Sequence, residues 1–205
     1  MENNVIVISR QVGSGGDDIA RKLSELINIP VYDKQKIVDL AKESGISENL
    51  FDGLEEHPTS SLLYSLVIGL KSGSDASCIA SPFHTDNVFG VQANIIRRLA
   101  DNGSCIFLGR CADYILREHN NLTNVYIWAS DDFRVNRVMN KIGLTHTEAV
   151  DYVSRIDKRR RSYYDFYTSK AWGDVENYDL TINPEKIGID NSAKIIAEYV
   201  NSKIG

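Results

Sequence analysis

The sequence predicts an α/β protein built on one five-stranded parallel sheet with helices on both faces. Three observations predict it. Short apolar runs alternate with stretches of helical periodicity along the chain, and parallel strands need such helical crossovers. The first run, Val5-Ile-Val-Ile8, is apolar without interruption, as a strand buried on both faces should be. A glycine cluster, Gly13-Ser-Gly-Gly16, follows it and leads into a helical pattern.

The elements follow in order. Val5 to Ser9 reads as a strand. Asp17 to Ile27 reads as a helix with Ile19, Ala20, Leu23, Leu26 and Ile27 on one face. Ile29 to Tyr32 is a second short strand ending at Asp33, and Lys34 to Glu43 a helix that stops at Gly45. Ser47 to Leu54 and Ser60 to Leu70 read as further helices, and the Ser-, Gly- and Asp-rich Lys71 to Asn87 as a loose segment. Val91 to Ala100 is helical and ends at Asn102-Gly103. Cys105 to Leu108, Val125 to Ala129 and Leu180 to Ile182 are the remaining strands. Asp131 to Ile142 is a helix closed by Gly143, Thr145-His-Thr-Glu148 is a capping box opening another, and Asn191 to Lys203 is a last amphipathic helix. Nothing divides the chain, so residues 1–205 read as a single domain. Two helical excursions, residues 47–92 and 143–172, leave the strand–helix rhythm.

Composition excludes several classes. The chain has 205 residues, 42% of them hydrophobic and 25% charged, which suits one soluble core. A net charge of −5 argues against general nucleic-acid affinity. The polar Met1-Glu-Asn-Asn4 is unlike a signal peptide, and Leu62 to Leu70 is too short and too interrupted to span a membrane. Cys78, Cys105 and Cys111 lack metal-ligand spacing and read as free thiols in a reducing cytoplasm. The four histidines are scattered. The oligomeric state is left open, because the Leu62 helix could bury its apolar face in a dimer or in the core.

Arginine is unevenly placed. Ten of the twelve arginines lie between Arg97 and Arg161, a span with two lysines, Lys141 and Lys158. Arginine's planar fork suits phosphate and carboxylate, so the group as a whole points to an anionic ligand.

The glycine cluster suits a phosphate, because a tight turn at a helix N-terminus aims backbone N–H groups at one place. It fails the strict P-loop pattern G-x-x-x-x-G-K-[ST]. With Gly15 as the last glycine, Gly16 stands at the lysine position, Asp17 at the hydroxyl position and Arg10 at the first glycine. The dinucleotide pattern G-x-G-x-x-G fits in part: Gly13, Gly15, then Asp18, with Asp33 near the place of a ribose-binding acid. A third reading is a plain tight turn with Asp17 or Asp18 capping the helix.

Four stretches together carry a resemblance: Ile8-Ser-Arg-Gln-Val-Gly-Ser-Gly-Gly16, Pro30-Val-Tyr-Asp-Lys34, Leu108-Gly-Arg-Cys-Ala-Asp-Tyr-Ile-Leu116 and Tyr178-Asp-Leu-Thr-Ile-Asn183. In residue type, order and spacing they resemble the cytidylate kinase-like family, P-loop relatives of the nucleoside monophosphate kinases. The resemblance implies a P-loop kinase sheet, a monophosphate-binding lobe at residues 47–92 and an Arg-rich lid at residues 143–172. It also implies ATP and Mg²⁺ as co-substrate and cofactor, and nucleotides as partners. The family's loop usually continues Gly-Ser-Gly-Gly with a basic residue, and this chain has Asp17. Where cytidylate kinases proper carry an acid before the Gly-Arg of the third strand, this chain has Leu108.

The residue roles follow. Arg10, Gly13, Ser14, Gly15 and Gly16 form the phosphate-binding set. Arg155 and Arg159, four apart on one helix face, are the candidate catalytic cations, with Arg160 and Arg161 extending the cluster. The competing reading pairs Asp151 with Arg155 and Asp157 with Arg161 as surface salt bridges. Arg110 would bind the acceptor phosphate. Asp113 would read the base or hold arginines. Asp33 binds substrate or caps the Lys34 helix. Arg134 and Arg137 lie on the helix leading into the lid. Asp17 is a possible Mg²⁺ ligand. Tyr163, Tyr164, Phe166, Tyr167 and Trp172 would anchor the lid or clamp a base, and Cys111 reads as packing. Three functions stay open: ATP-dependent phosphoryl transfer to a nucleoside monophosphate or similar small phosphorylated acceptor; a catalytically weakened nucleotide- or anion-binding protein; and a Rossmann-type dinucleotide oxidoreductase.

Overall fold

The computed structural model describes residues 3–43 and 82–203. Its centre is β1 (Val5–Arg10), whose Val5 to Ile8 are almost fully buried. β2 (Val31–Tyr32), β3 (Cys105–Leu108), β4 (Leu122–Ile127) and β5 (Leu180–Ile182) complete one sheet in the order β2-β3-β1-β4-β5. Every neighbouring pair is parallel, with Val5 opposite both Cys105 and Leu122. The five-stranded parallel sheet expected from the sequence is thus present.

Side-chain alternation divides the core. Val5 and Val7 of β1, with Cys105 and Phe107 of β3, face α2 (Lys34–Glu43) and α3 (Pro82–Asn102) through Ile37, Ala41 and Ile96. Ile6 and Ile8, with Ile106 and Leu108, face α1 (Gly16–Ile27) and α7 (Pro184–Ser202) through Ile19, Leu23 and Ile196. A smaller aromatic group joins Tyr126 of β4 to Tyr163, Tyr164 and Trp172. Another joins α5 (Asp131–Ile142) to α6 (His146–Thr168) through Val135, Val138, Ala149 and Val153.

Several expected boundaries move. α3 begins at Pro82, so residues 82–87 are helical where a loose segment was expected; proline is tolerated in the first turn because its missing N–H is an orphan there anyway. β4 starts at Leu122 because it pairs with β1 along its whole length. β2 shrinks to two residues; Pro30 has no N–H to give a ladder, and its carbonyl accepts the Ile106 N–H at 2.9 Å. α7 starts at Pro184, capped by Asn183, and is interrupted by Gly188 at φ 80°. The Thr145 capping box and the Gly143 helix stop form as read. A short helix, α4 (Ala112–Ile115), follows β3. The expected helices at Ser47 to Leu54 and Ser60 to Leu70, and Cys78, lie outside the described residues. No helix among the described residues is long and apolar enough to cross a membrane.

The sheet order positions the site. The chain leaves β1 toward β2 on one side and returns past it to β4 on the other, and ligands bind at the carboxyl ends of strands where the order reverses in this way. The carboxyl end of β1, between β3 and β4, is that place.

Candidate active site

β1 ends at Arg10, and Gln11 gives a last ladder bond to the Ile127 carbonyl at 3.0 Å. The chain then turns tightly. Ser14 returns to the Gln11 carbonyl through both its N–H (3.3 Å) and its hydroxyl (2.7 Å). Gly15, at φ 92°, is the helix N-cap, with no side chain capping α1, so neither Asp17 nor Asp18 caps it. Gly13 has φ 78°, and a Cβ there would stand 2.5 Å from the Arg134 carbonyl oxygen. The Gly16 and Asp17 N–H groups begin the helix and have no acceptor within it. The loop is therefore compact and its donors lie at a helix N-terminus, the arrangement that suits an anion.

α6 grips this loop. Asp157 accepts the Val12 N–H at 2.9 Å and pairs with Arg134, whose guanidinium is nearly buried and also meets Asp131 at 2.5 Å. Asp157 thus goes to the loop and to α5 instead of to Arg161. Burial pushes its carboxyl above the usual range, against the pull of the Val12 N–H, Arg134 and Arg160. Arg160 Nη1 donates to the Arg10 carbonyl at 2.8 Å.

The two acids in the first turn of α1 are neutralised. Asp17 Oδ1 accepts from Arg10 Nε at 2.9 Å. Burial works against ionisation of Asp17, but Arg10, with Arg160 and Lys141 further off, holds its carboxyl below the usual value. Asp18 is shared by Arg21 and Arg137, with Lys141 Nζ at 3.9 Å.

Beside the loop, at the ends of β1 and β3, lies a cavity whose lining includes Arg10, Lys34, Arg110, Arg160, Tyr163 and Trp172. Gly109, Arg110 and Cys111 follow β3 with φ of 67°, 64° and 54°, one left-handed turn. Gln92, buried on α3, fixes the arginine there. Its Oε1 accepts from Arg110 Nε (2.8 Å) and Nη2 (2.5 Å), and its Nε2 donates to the Arg110 carbonyl at 3.0 Å. The guanidinium also sits 4.9 Å from the centroid of the Tyr163 ring.

The other expected residues fall around this centre. Asp33 Oδ1 accepts the Lys36 N–H at 2.9 Å, so it caps α2, and its neighbour Lys34 lines the cavity. Asp113 is buried beneath the cavity, where Tyr164 donates to its Oδ2 at 2.6 Å; burial raises its pKa. Arg155 is exposed on α6, 5.8 Å from the Tyr152 ring centroid, and neither it nor Arg159 is among the described cavity residues. Tyr163, Tyr164 and Trp172 pack into the core, whereas Phe166 is half exposed. Cys105 and Cys111 are buried thiols outside any disulfide, and burial pushes the Cys105 thiol up to about 12. Among the described residues no three His, Cys, Asp or Glu side chains group as a metal site.

Lys34 and Gln92 are site residues that the sequence reading did not single out, and Asp157 was read there only as a partner of Arg161. Gln92 left one usable signal: it stands one turn before Ile96, a polar side chain on the apolar face of α3.

A glycine loop after the central strand of a 2-3-1-4-5 parallel sheet, with cations at the neighbouring strand end, defines the P-loop kinase class of fold. Solved structures agree. An uncharacterized protein from Eubacterium ventriosum is similar with a TM-score of 0.74 and 27% identity, over 98% of this chain and 99% of that one. Shikimate kinase from Acinetobacter baumannii shares the fold at a TM-score of 0.51 and 14% identity, over 98% and 94%. Within that class the chain belongs to the cytidylate kinase-like family, whose pattern matches residues 5–186. It is 24% identical over 203 residues to the cytidylate kinase of Pyrobaculum islandicum, covering 98% of this chain and 95% of the relative. It is 22% identical over 198 residues to that of Sulfurisphaera tokodaii, covering 96% and 95%. The dinucleotide reading of the glycine loop falls to this family assignment.

Proposed function

We propose that this protein transfers a phosphoryl group from ATP, with Mg²⁺, to a nucleoside monophosphate or a similar small phosphorylated acceptor. The observation that carries the reading is two anion-suited surfaces side by side. One is the glycine loop at the start of α1, and the other is the cavity holding Arg110 and Lys34 at the end of β3. Phosphoryl transfer is chiefly positioning and charge neutralisation, so such a juxtaposition suits it. The cytidylate kinases among the relatives point to cytidylate as the first acceptor to try.

In this reading the Gly13–Gly16 backbone and Ser14 hold the donor phosphates, and Arg110, fixed by Gln92, holds the acceptor phosphate. Asp33 and Asp113 shape the acceptor side, Asp33 through the start of α2 and Asp113 through Tyr164. Residues 143–172 act as the lid and residues 47–92 as the acceptor lobe. Arg155 and Arg159 reach the transferred group when the lid closes further. The donor set fits a triphosphate, and Mg²⁺ would supply charge neutralisation between the phosphates, held on the protein side by Asp17 Oδ2. Asp17 stands where the family usually has a basic residue, and its pairing with Arg10 offsets the repulsion it would otherwise exert on the phosphates. Buried thiols outside any disulfide at Cys105 and Cys111 suit the cytoplasm.

A coupled assay for ADP release, run with ATP·Mg²⁺ and a panel of nucleoside monophosphates, tests the proposal. Turnover with one or more acceptors is expected, and the Arg155→Ala/Arg159→Ala variant should lose about 10²-fold in kcat. ATP binding without transfer to any acceptor would refute the activity.

A further inference from the structure

We propose that Arg10 is the cation of the phosphate loop, supplied from the strand instead of from the helix, and that Asp17 positions it. The inference rests on the phosphotransfer reading above. In the strict motif the first position is glycine and the residue after the last glycine is lysine. In this chain those two positions are exchanged: Arg10 stands at the first and Gly16 at the second.

The exchange is steric as well as formal. A Cβ on Gly16 would stand 2.5 Å from Arg10 Cβ and 2.7 Å from Arg10 Cγ. The stem of Arg10 therefore fills the space from which a lysine at position 16 would set out. At its far end, Nη1 lies 3.0 Å from the place of a Cβ on Gly109, where the turn carrying Arg110 begins. The guanidinium thus spans from the start of α1 to the end of β3, between the loop and the cavity that it lines. A cation there faces both phosphate sites at once.

Asp17 makes this position definite. It takes the Nε edge at 2.9 Å, and Nε is the one guanidinium nitrogen of Arg10 with a hydrogen-bond partner among the described residues. The Nη edge is left toward the cavity. Arg160 holds the carbonyl of the same residue at 2.8 Å, so backbone and side chain are both fixed. In this arrangement Asp17 is the counter-ion of the loop cation.

Calorimetric titration with inorganic tripolyphosphate and with ATP, both without Mg²⁺, tests the assignment beside turnover. Arg10→Met keeps the stem over Gly16 and removes the charge. Arg10→Met/Asp17→Asn also removes the carboxylate that Arg10→Met leaves unpaired. Both should lose about tenfold or more in tripolyphosphate affinity, the loss expected for a charged hydrogen bond, and about 10²-fold in kcat. The exchange variant Arg10→Gly/Gly16→Lys should recover affinity to within about threefold, because it rebuilds the ordinary motif. Asp17→Asn alone should lower kcat more than it raises KM for ATP.

Wild-type affinity in Arg10→Met/Asp17→Asn overturns the proposal. A folded exchange variant that binds no better than Arg10→Met overturns the exchange, and if that variant does not fold, the two methionine variants decide. Unchanged kcat in Asp17→Asn overturns its positioning role. A wild-type protein that binds neither probe refutes this inference and the phosphotransfer reading together. One that binds both but transfers to no acceptor refutes only the activity, and the titrations still judge Arg10.

Discussion

Replacing Asp157 with alanine should cost about 3 kcal/mol of folding stability. Two losses make up that figure. The Val12 N–H, held at 2.9 Å, loses its acceptor in a part-buried place, and an unsatisfied donor costs about 1–3 kcal/mol. Arg134, nearly buried, loses its inner carboxylate and keeps the exposed Asp131 and the Val12 carbonyl at 3.4 Å. Breaking a buried pair costs about 3–5 kcal/mol, reduced here because Asp131 remains and because the two losses share one carboxylate. At about 2–4 °C per kcal/mol for a chain of this length, Tm should fall by roughly 6–12 °C. Urea unfolding followed by circular dichroism gives the free energy, and calorimetry gives Tm. Asp157→Asn, which keeps an acceptor for Val12, should lose about half as much. Asp157→Ala/Arg134→Met should be more stable than Asp157→Ala alone, because it leaves no uncompensated charge. A loss below about 1 kcal/mol for Asp157→Ala would refute the reasoning and with it the coupling of α6 to the loop.

Other substitutions probe the remaining supports. Gly13→Ala should destabilise by about 2 kcal/mol or more, since its φ of 78° is unfavourable for alanine and its Cβ would meet backbone at 2.5 Å. Gly103→Ala, with nothing within 4 Å, is the control and should be nearly neutral by the same denaturation. Gln92→Leu should raise KM for the acceptor about tenfold, in line with losing the acceptor that orients a charged donor, with a smaller change in kcat; equal losses in both would contradict the positioning role. For pH, the folded-state pKa of Asp113 is raised by burial, so between its ordinary value of 3.8 and the raised value the folded state holds the extra proton. Stability relative to Asp113→Asn should therefore fall as pH rises above 3.8 and be greatest below it. Asp17, with its pKa lowered, should show the opposite: its contribution is present above 3.8 and is lost as pH falls below that. Parallel unfolding curves from pH 3 to pH 7 check both signs.

Much of the fold was legible because its signals are local. The unbroken apolar run of β1, the Gly143 stop and the Thr145 capping box each act within a few residues, and each forms as read. The start of α3 was misjudged because a Ser-, Gly- and Asp-rich composition says little about a helix that begins at Pro82. α7 was started late because Gly188 breaks its periodicity without ending it. The site was legible where one stretch carries it, as in the glycine loop and Arg110. It was not where partners come from distant elements. Asp157 has charged neighbours on its own helix, and nothing local indicates that it goes to Val12, 145 residues away. Gln92 meets Arg110 only because α3 lies against the end of β3. Arg10 was read as a phosphate-binding residue, but nothing in the sequence shows that its side chain crosses over Gly16 to pair with Asp17.

The central place of β1 has a consequence for how the chain is made. Val5 pairs with Cys105 and with Leu122, so β1 is synthesised a hundred residues before the first of its two neighbours in the sheet. At about 5–20 residues per second on the ribosome, that is a wait of roughly 5–20 s. During it Val5, Ile6, Val7 and Ile8, later the most buried stretch of the molecule, have only α1 and its neighbours to cover them. Release of the nascent chain before β3 emerges would leave an apolar strand with two open edges, a substrate for chaperones or for aggregation. Yield in a cell should therefore depend on translation speed and chaperone supply more steeply than the stability of the finished protein would suggest.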